Sequence, residues 1–370
     1  SVLSFPNVAS QKGLVEMFDS TIGRSTVLMP YGGVLQSSET QVSVQKLPAD
    51  GYTETASMMA FGYNPYLASW SPYHGAAYSV VEACAKVVAA GGDWSRMRFS
   101  YQEYFERMTH DPHSWGKPLS ALLGALKMQT ALGLPSIGGK DSMSGTFEHI
   151  HVPPTLVAFG ITTIDARTVI SPEFKKAGNG IWLIKHTPLA NRMPDTDQLS
   201  ANWKALAGSI AAGKVVSAWS LSFGGVAEGL VKMAMGNSLG VNVNIAEDEL
   251  FSLGYGSALV EATGDLDIAN AVKIGEVTSE GIVVNGVKMS LDNLEKAYTS
   301  RYAKIYPAKV KPHFDEPVPQ VAEVPFDKSN LVYPGEPVQT PVVCMPVFPG
   351  SNCDFDTAKA FRKAGAEVRP

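Results

Sequence analysis

The stretch PSIGGKDSMSGTFE, residues 135–148, concentrates groups that handle anions. Gly138, Gly139 and Gly145 let the backbone approach a ligand closely, and successive N–H groups in such a run form an anion-binding nest. Lys140 adds a cation, and Ser142, Ser144 and Thr146 add hydroxyls suited to phosphate oxygens or amides. The Gly-x4-Gly-Lys-Ser/Thr spacing of nucleotide-binding loops is absent, so the pattern alone also fits a plain glycine-rich turn between a helix and a strand.

Other residues with chemical potential read differently. Glu82 and Lys86 stand four apart in the order that favours an intrahelical ion pair, and an ordinary surface salt bridge accounts for them. Asp50 precedes Gly51 and fits turn chemistry. His110 and His113 resemble a metal pair, but Pro112 between them should break the helix that would align their rings, and no third ligand is evident. Cys84, Cys344 and Cys353 form no CxxC arrangement, which gives neither a disulfide framework nor a zinc site and fits a reducing cytoplasm.

The elements that position these residues follow from pattern. Ser71, Pro72 and the Gly91-Gly92 pair delimit a helix from Pro72 to Ala90, with Ala77, Val81, Cys84 and Val88 as its buried stripe. A second helical stretch, PLSALLGALKMQTALGLP, leads into the glycine-rich loop, and TQVSVQKL and PTLVAFGITTI read as strands. After Ile164 the texture repeats: strand GIWLIK, a helix opening at Phe223-Gly224-Gly225, then SALVEAT, KIGEV and GIVVNG as strands. This predicts α/β domains over 1–165 and 166–306. Seven prolines between Tyr306 and Thr340 suggest an extended linker over 307–340. Residues 341–370 read as a strand, a turn and an amphipathic helix, too little to bury a core and so expected to open a truncated third domain. The chain begins SVLSF, without Met, which suggests a cut end. With 45% apolar and 18% charged residues, a net charge of −5 and no long apolar run, neither nucleic acid nor a membrane is an expected partner.

GGKDSMSGTFE, NPYLASWSPYHGAAYSVVEACAKVVAAGGDW, RFSYQEYF and FPGSNCDFDTAKAFRKAGAEV occur in the order found in the large, multidomain phosphoribosylformylglycinamidine synthases of purine biosynthesis, which the chain resembles over essentially its whole length. The resemblance implies an α/β (α+β) fold of the aminoimidazole-ribonucleotide-synthetase (PurM-like) type, with an N-terminal-type and a C-terminal-type domain followed by the start of a class I glutaminase domain. It implies the second of two pseudo-symmetric synthetase halves, with the first half and the glutaminase nucleophile lying elsewhere, and therefore no catalytic residue here and no activity alone. In the family, ATP activates the amide oxygen of formylglycinamide ribonucleotide, and glutamine-derived ammonia then displaces phosphate. ATP and Mg²⁺ are the implied cofactors. Two other readings remain: an ATP-dependent phosphotransferase of the same superfamily, and a non-catalytic half that scaffolds its partner.

Site residues follow from the same resemblance. Against shorter members, whose loop reads Gly-Gly-Asn-x-Ser, Gly139 matches a residue that touches ATP, Lys140 the Mg²⁺-binding Asn, and Ser142 a substrate contact. An ammonium repels Mg²⁺ but can meet phosphate directly. The family also carries an auxiliary nucleotide site, for which Ala49 and Ser222 match nucleotide contacts and Asp50 and Glu82 match Mg²⁺ ligands. Lys86 stands where some members carry Asn, and Ser220 where they carry Asp. These two departures predict that no tightly held Mg²⁺–nucleotide is present and that Lys86 pairs with Glu82 or Asp50 instead. Cys353 is expected to be a packing or turn residue, because the family nucleophile sits in a Gly-Val-Cys-Asn-Gly context that the sequence does not contain.

Overall fold

A computed structural model describes residues 1–21, 25–308, 329, 335, 336 and 338–370, so most of the expected linker lies outside the described residues. Two compact units emerge, Ser1–Val310 and Lys311–Pro370.

The larger unit is built on two large sheets, beside two small two-stranded ones among the described residues. The first contains β1 (Ser43–Lys46), β2 (Thr55–Gly62), β3 (Arg98–Tyr104), β4 (Ser136–Lys140) and β5 (Thr155–Asp165), in the order β1-β2-β5-β3-β4. Only β3 and β4 run parallel within it; the other pairs are antiparallel, with Thr55 opposite Asp165 and Gly62 opposite Ala158. Strand β2 shows the period of two expected when one face is covered. Ala56, Met58 and Ala60 are buried, whereas Met59 and Phe61 are 41% and 52% exposed on the opposite face.

Helices α1 (Pro72–Ala89) and α2 (Pro112–Leu132) belong to this sheet. Ser71 caps α1 by accepting from the His74 N–H, Pro72 takes the first position, and Gly91 closes it at φ +92°. Asp111 caps α2 in the same way, accepting from the His113 N–H. Pro112 therefore starts this helix, where its missing N–H costs nothing, rather than breaking one. The helix begins ahead of the stretch read from sequence, and it tolerates Pro118 in its interior.

The sequence predicted a single buried stripe for α1, and Ala77, Val81, Cys84 and Val88 are indeed fully buried. Yet every residue from Gly75 to Ala89 is buried, so the helix has no exposed face beyond its first turn. The reason is position: α1 packs on α2, β2 and β5 and also touches β7 and α3 of the second sheet's layer, defined next.

The second sheet comprises β6 (Gly180–Ile184), β7 (Val215–Ser220), β8 (Gly240–Val243), β9 (Ala258–Ala262), β10 (Ala271–Thr278), β11 (Ile282–Val284) and β12 (Val287–Met289). Its order is β7-β9-β6-β10-β8-β11-β12, and its helices are α3 (Thr196–Ala211), α4 (Gly225–Met235) and α5 (Leu291–Ser300). Ile184, Leu206 and Val260 share one core with Val44, Met58 and Phe99 of the first sheet. Leu183, Trp219 and Leu259 form a second core with Leu230 and Met233 of α4.

In the smaller unit, β13 (Val342–Cys344) pairs in parallel with β14 (Glu367–Arg369) across α6 (Asp354–Lys363). The terminal strand was not read from sequence; three residues behind Gly365 give too short a run to show alternation. Cys353 is exposed and sits in the left-handed region at φ +60° just before α6, which makes it a turn residue and not a packing one. Among the described residues no helix is long and apolar enough to cross a membrane.

Two glycines separate close approach from mere flexibility. A Cβ on Gly62 would lie 2.1 Å from the Ser79 carbonyl oxygen, because β2 runs directly against α1. On Gly208, within α3, it would meet open space. Gly62→Ala should therefore cost roughly 1–3 kcal/mol through overpacking, while Gly208→Ala should gain up to about 1 kcal/mol from helix propensity. Urea unfolding of the two variants, read against the parent chain, checks both signs.

Candidate functional site

The contact between β2 and α1 delivers two charged side chains into the interior. Glu82 and Lys86 are 6% and 8% exposed and join at 2.8 Å between Nζ and Oε1. The pair is thus a buried one, not the surface bridge that spacing alone suggested. The Tyr63 N–H donates to the second Glu82 oxygen at 3.0 Å, and Lys86 Nζ also donates to the Phe61 carbonyl at 2.8 Å while lying 4.4 Å from the centre of the Phe61 ring.

Helix α4 repeats the arrangement. Glu228 and Lys232, each 3% exposed, are joined at 2.8 Å, and Lys232 Nζ donates to Glu39 Oε2 at 2.7 Å. The Gly224 N–H occupies the other Glu228 oxygen at 2.9 Å, and the Tyr298 hydroxyl donates to Glu39 at 3.1 Å. Burial by itself pulls the Lys232 pKa down, but Glu228 and Glu39 outweigh it and hold the ammonium well above its ordinary range. Burial likewise opposes ionisation of Glu39, and Lys232 overcomes this to hold that carboxyl below the ordinary value.

Both pairs face one cavity of about 940 Å³. Met59, Phe61 and Phe159 from the uncovered face of the first sheet form one wall; Trp219, Ser222 and Phe223 at the entry to α4 form another. Tyr255 stands between the pairs: desolvation lifts its hydroxyl pKa well above the ordinary value, and the negative charges of Glu82 and Glu228 add to the shift. Gln41 grips the backbone of Ser220 at both ends, accepting from its N–H at 2.8 Å and donating to its carbonyl at 2.9 Å. The Ser220 hydroxyl and the Trp219 indole N–H are buried without a partner.

Of the residues singled out in the sequence, the fold gathers Glu82, Lys86 and Ser222 at this cavity, with fully buried Ser220 behind it. Ala49 and Asp50 do not line it; they lie on the exposed connection between β1 and β2, next to Gly51 at φ +94°. Gly139, Lys140 and Ser142 are also elsewhere. Gly138, Gly139 and Lys140 form an edge strand in place of the expected loop, with Tyr101 opposite Gly139 and Gln102 opposite Lys140. All of β4 is exposed, and beyond it the Ser142 and Ser144 hydroxyls stand 2.8 Å apart. Among the described residues no group of three or more His, Cys, Asp or Glu is placed to hold a metal ion. Cys84 is fully buried and burial pushes its thiol pKa up, which suits a packing residue.

Sequence reasoning missed Glu39, Glu228 and Lys232. A signal existed: GVAEGLVKMAM and VVEACAKVVA both set Glu and Lys four apart in an otherwise small and apolar helix. Such a helix offers no polar face, so its charges must be answered inside.

Comparisons with known proteins supply the class first. The fold is that of solved PurL structures: the chain superposes on PurLQS from Thermotoga maritima with a TM-score of 0.58 and 16% identity over 81% of its length, covering 54% of that chain. With T. maritima PurL complexed with FGAR the TM-score is 0.57 at 14% identity, covering 85% of this chain and 56% of the other. No family model matches the sequence. Among curated proteins, the phosphoribosylformylglycinamidine synthase subunit PurL of Pyrobaculum aerophilum is 25% identical over 262 residues, 67% of this chain and 36% of that protein. The PurL subunit of Methanosarcina acetivorans is 25% identical over 343 residues, 81% and 45% respectively. The chain thus spans less than half the length of these relatives.

The charge cluster carries a pH signature. Because the Glu39 carboxyl is held low in the folded chain, it contributes stability that is complete above the unfolded value near pH ~4.3 and is lost as pH falls through the folded one. Glu39→Gln should flatten the acid limb of a stability–pH profile below pH ~4.3 and lower stability at neutral pH. Chemical denaturation at a series of pH values, followed by tryptophan fluorescence, reads both effects.

Proposed function

We propose that this chain is a synthetase part of a phosphoribosylformylglycinamidine synthase, acting with ATP on formylglycinamide ribonucleotide. The observation that carries the reading is similarity along 67% to 81% of the chain to proteins named as that enzyme's PurL subunit, on the same fold. PurL from T. maritima has been solved in complexes with ATP, with FGAR and with ADP, which supports the choice of ligands.

In this reading the edge strand β4 and the turn after it meet the nucleotide and substrate. Gly138 and Gly139 leave main-chain groups bare for phosphate oxygens, and no Cβ shields them. Lys140, exposed, neutralises phosphate charge as a cation, and Ser142 positions the substrate through its hydroxyl. ATP would activate the amide oxygen of the substrate for displacement by ammonia; the chain's own residues bind and orient. Glutamine as the ammonia source, with 341–370 opening a glutaminase domain, belongs to the same proposal. So do PurM-like domains at 1–165 and 166–306, and inactivity of this chain by itself.

Mg²⁺ at Glu82 does not fit. Both Glu82 oxygens already accept hydrogen bonds, from Lys86 and from Tyr63, and no step is assigned to a metal there.

Titration calorimetry should detect binding of ATP and of formylglycinamide ribonucleotide to the chain. Ser142→Ala should weaken the ribonucleotide about tenfold, the worth of one well-placed hydroxyl, with an unchanged circular dichroism spectrum. The chain alone should form no amidine from substrate, ATP and ammonium. Absence of either ligand's binding would sink the reading, and turnover with ammonium would remove the claim of inactivity.

A further inference from the structure

We infer that the Lys86 and Lys232 ammonium groups are the resident cations of the α1–α4 cavity, occupying the coordination space a divalent ion would need, so that the cavity holds neither Mg²⁺ nor a metal-bound nucleotide. The inference rests on the cavity's own geometry and on the departures at Lys86 and Ser220; it does not depend on ATP binding at β4.

Magnesium requires oxygen ligands with free lone pairs in near-octahedral array at about 2.0–2.1 Å. In the two most buried carboxylates facing the cavity, every oxygen is already engaged by a donor of the protein. Glu82 is engaged by Lys86 on one oxygen and by the Tyr63 N–H on the other. Glu228 is engaged by Lys232 on one and by the Gly224 N–H on the other. The third carboxylate, Glu39, accepts from Lys232 and from the Tyr298 hydroxyl, both on Oε2, and the fourth, Asp19, is an exposed rim residue. What Glu39 Oε1 and Asp19 leave over is not the group of three or more carboxylate or other ligands that would hold an ion, and none exists among the described residues. Where a further carboxylate would be expected by resemblance, Ser220 presents a hydroxyl, and Asp50 lies on a connection that does not line the cavity.

An ammonium suits this place because it is compact and donates in three directions. Lys86 spends its donors on Glu82 and the Phe61 carbonyl and lays its charge against the Phe61 ring. Lys232 spends its donors on Glu228 and Glu39 and lies 5.3 Å from the centres of both the Trp219 and Tyr298 rings. Each cation thus has two acceptors from the protein and an aromatic ring beside it. Counting Asp19, Glu39, Glu82 and Glu228 against Lys86 and Lys232 gives four negative and two positive charges, so the cavity lining has a formal charge of −2 and repels a polyphosphate.

The test uses the full chain and Mn²⁺, whose paramagnetism reports bound ion directly, with and without ADP. Glu82→Gln, Glu228→Gln and Glu39→Gln locate any binding that appears. The parent chain should show no Mn²⁺ or ADP binding that any of these substitutions abolishes, and its melting temperature should not respond to EDTA. Binding that persists unchanged in all three variants lies elsewhere and leaves the inference standing; binding lost in any of the three overturns it. Lys86→Met supplies the converse: with the ammonium gone, it should melt lower than the parent, regain part of the loss on adding Mn²⁺, and bind the ion at least tenfold more tightly than the parent does. A Lys86→Met protein that melts like the parent, or that ignores Mn²⁺, would count against the inference, and if it does not fold the parent-chain comparison decides alone.

Discussion

A charge can be carried through the middle of a protein only if every atom that bears it finds a partner there. The helix Pro72–Ala89 imposes that condition on the larger unit, because it is enclosed on nearly all sides and still contains Glu82 and Lys86. Its neighbours are shaped by the requirement. Strand β2 comes close enough for the Tyr63 N–H and the Phe61 carbonyl to serve the pair, which in turn demands glycine at 62. Moving the helix outward would free the glycine but strand both charges, at a cost of several kcal/mol.

The second pair extends the condition across the cavity. Glu228 and Lys232 sit on α4, whose N-terminal Gly224 supplies an N–H to the carboxylate, while Glu39 and Tyr298 come from opposite ends of the sequence to complete the set. Segments far apart in the chain are thereby tied to one small charged centre. Aromatic side chains close the remaining directions, so the charges are screened by ring faces where hydrogen bonds end.

Much of this architecture was legible in the residues. The caps at Ser71 and the glycines after Ala90 mark α1 unambiguously, and short apolar runs mark β5 and β6, because local chemistry decides those elements. The ion pair between Lys86 and Glu82 was also readable from spacing. Its burial was not, since spacing describes one helix and burial depends on what a distant sheet brings against it. The three-residue strand β14 escaped for want of length, and Glu39 because its partner lies 193 residues away. Ala49 and Asp50 were singled out by resemblance, and the fold places them on the exposed connection between β1 and β2 and not in the lining of the cavity.

The edge strand Ser136–Lys140 has a consequence for the protein's behaviour among its own copies. An unprotected strand edge is a template for sheet growth between molecules, and here every residue is exposed, with Ile137 78% accessible. Two consecutive glycines make the strand a poor template: they contribute no side chain to pack against an incoming strand, Gly138 sits at φ +144°, and Lys140 ends the run with a charge. The bareness of those two glycines therefore works against sheet growth through this edge.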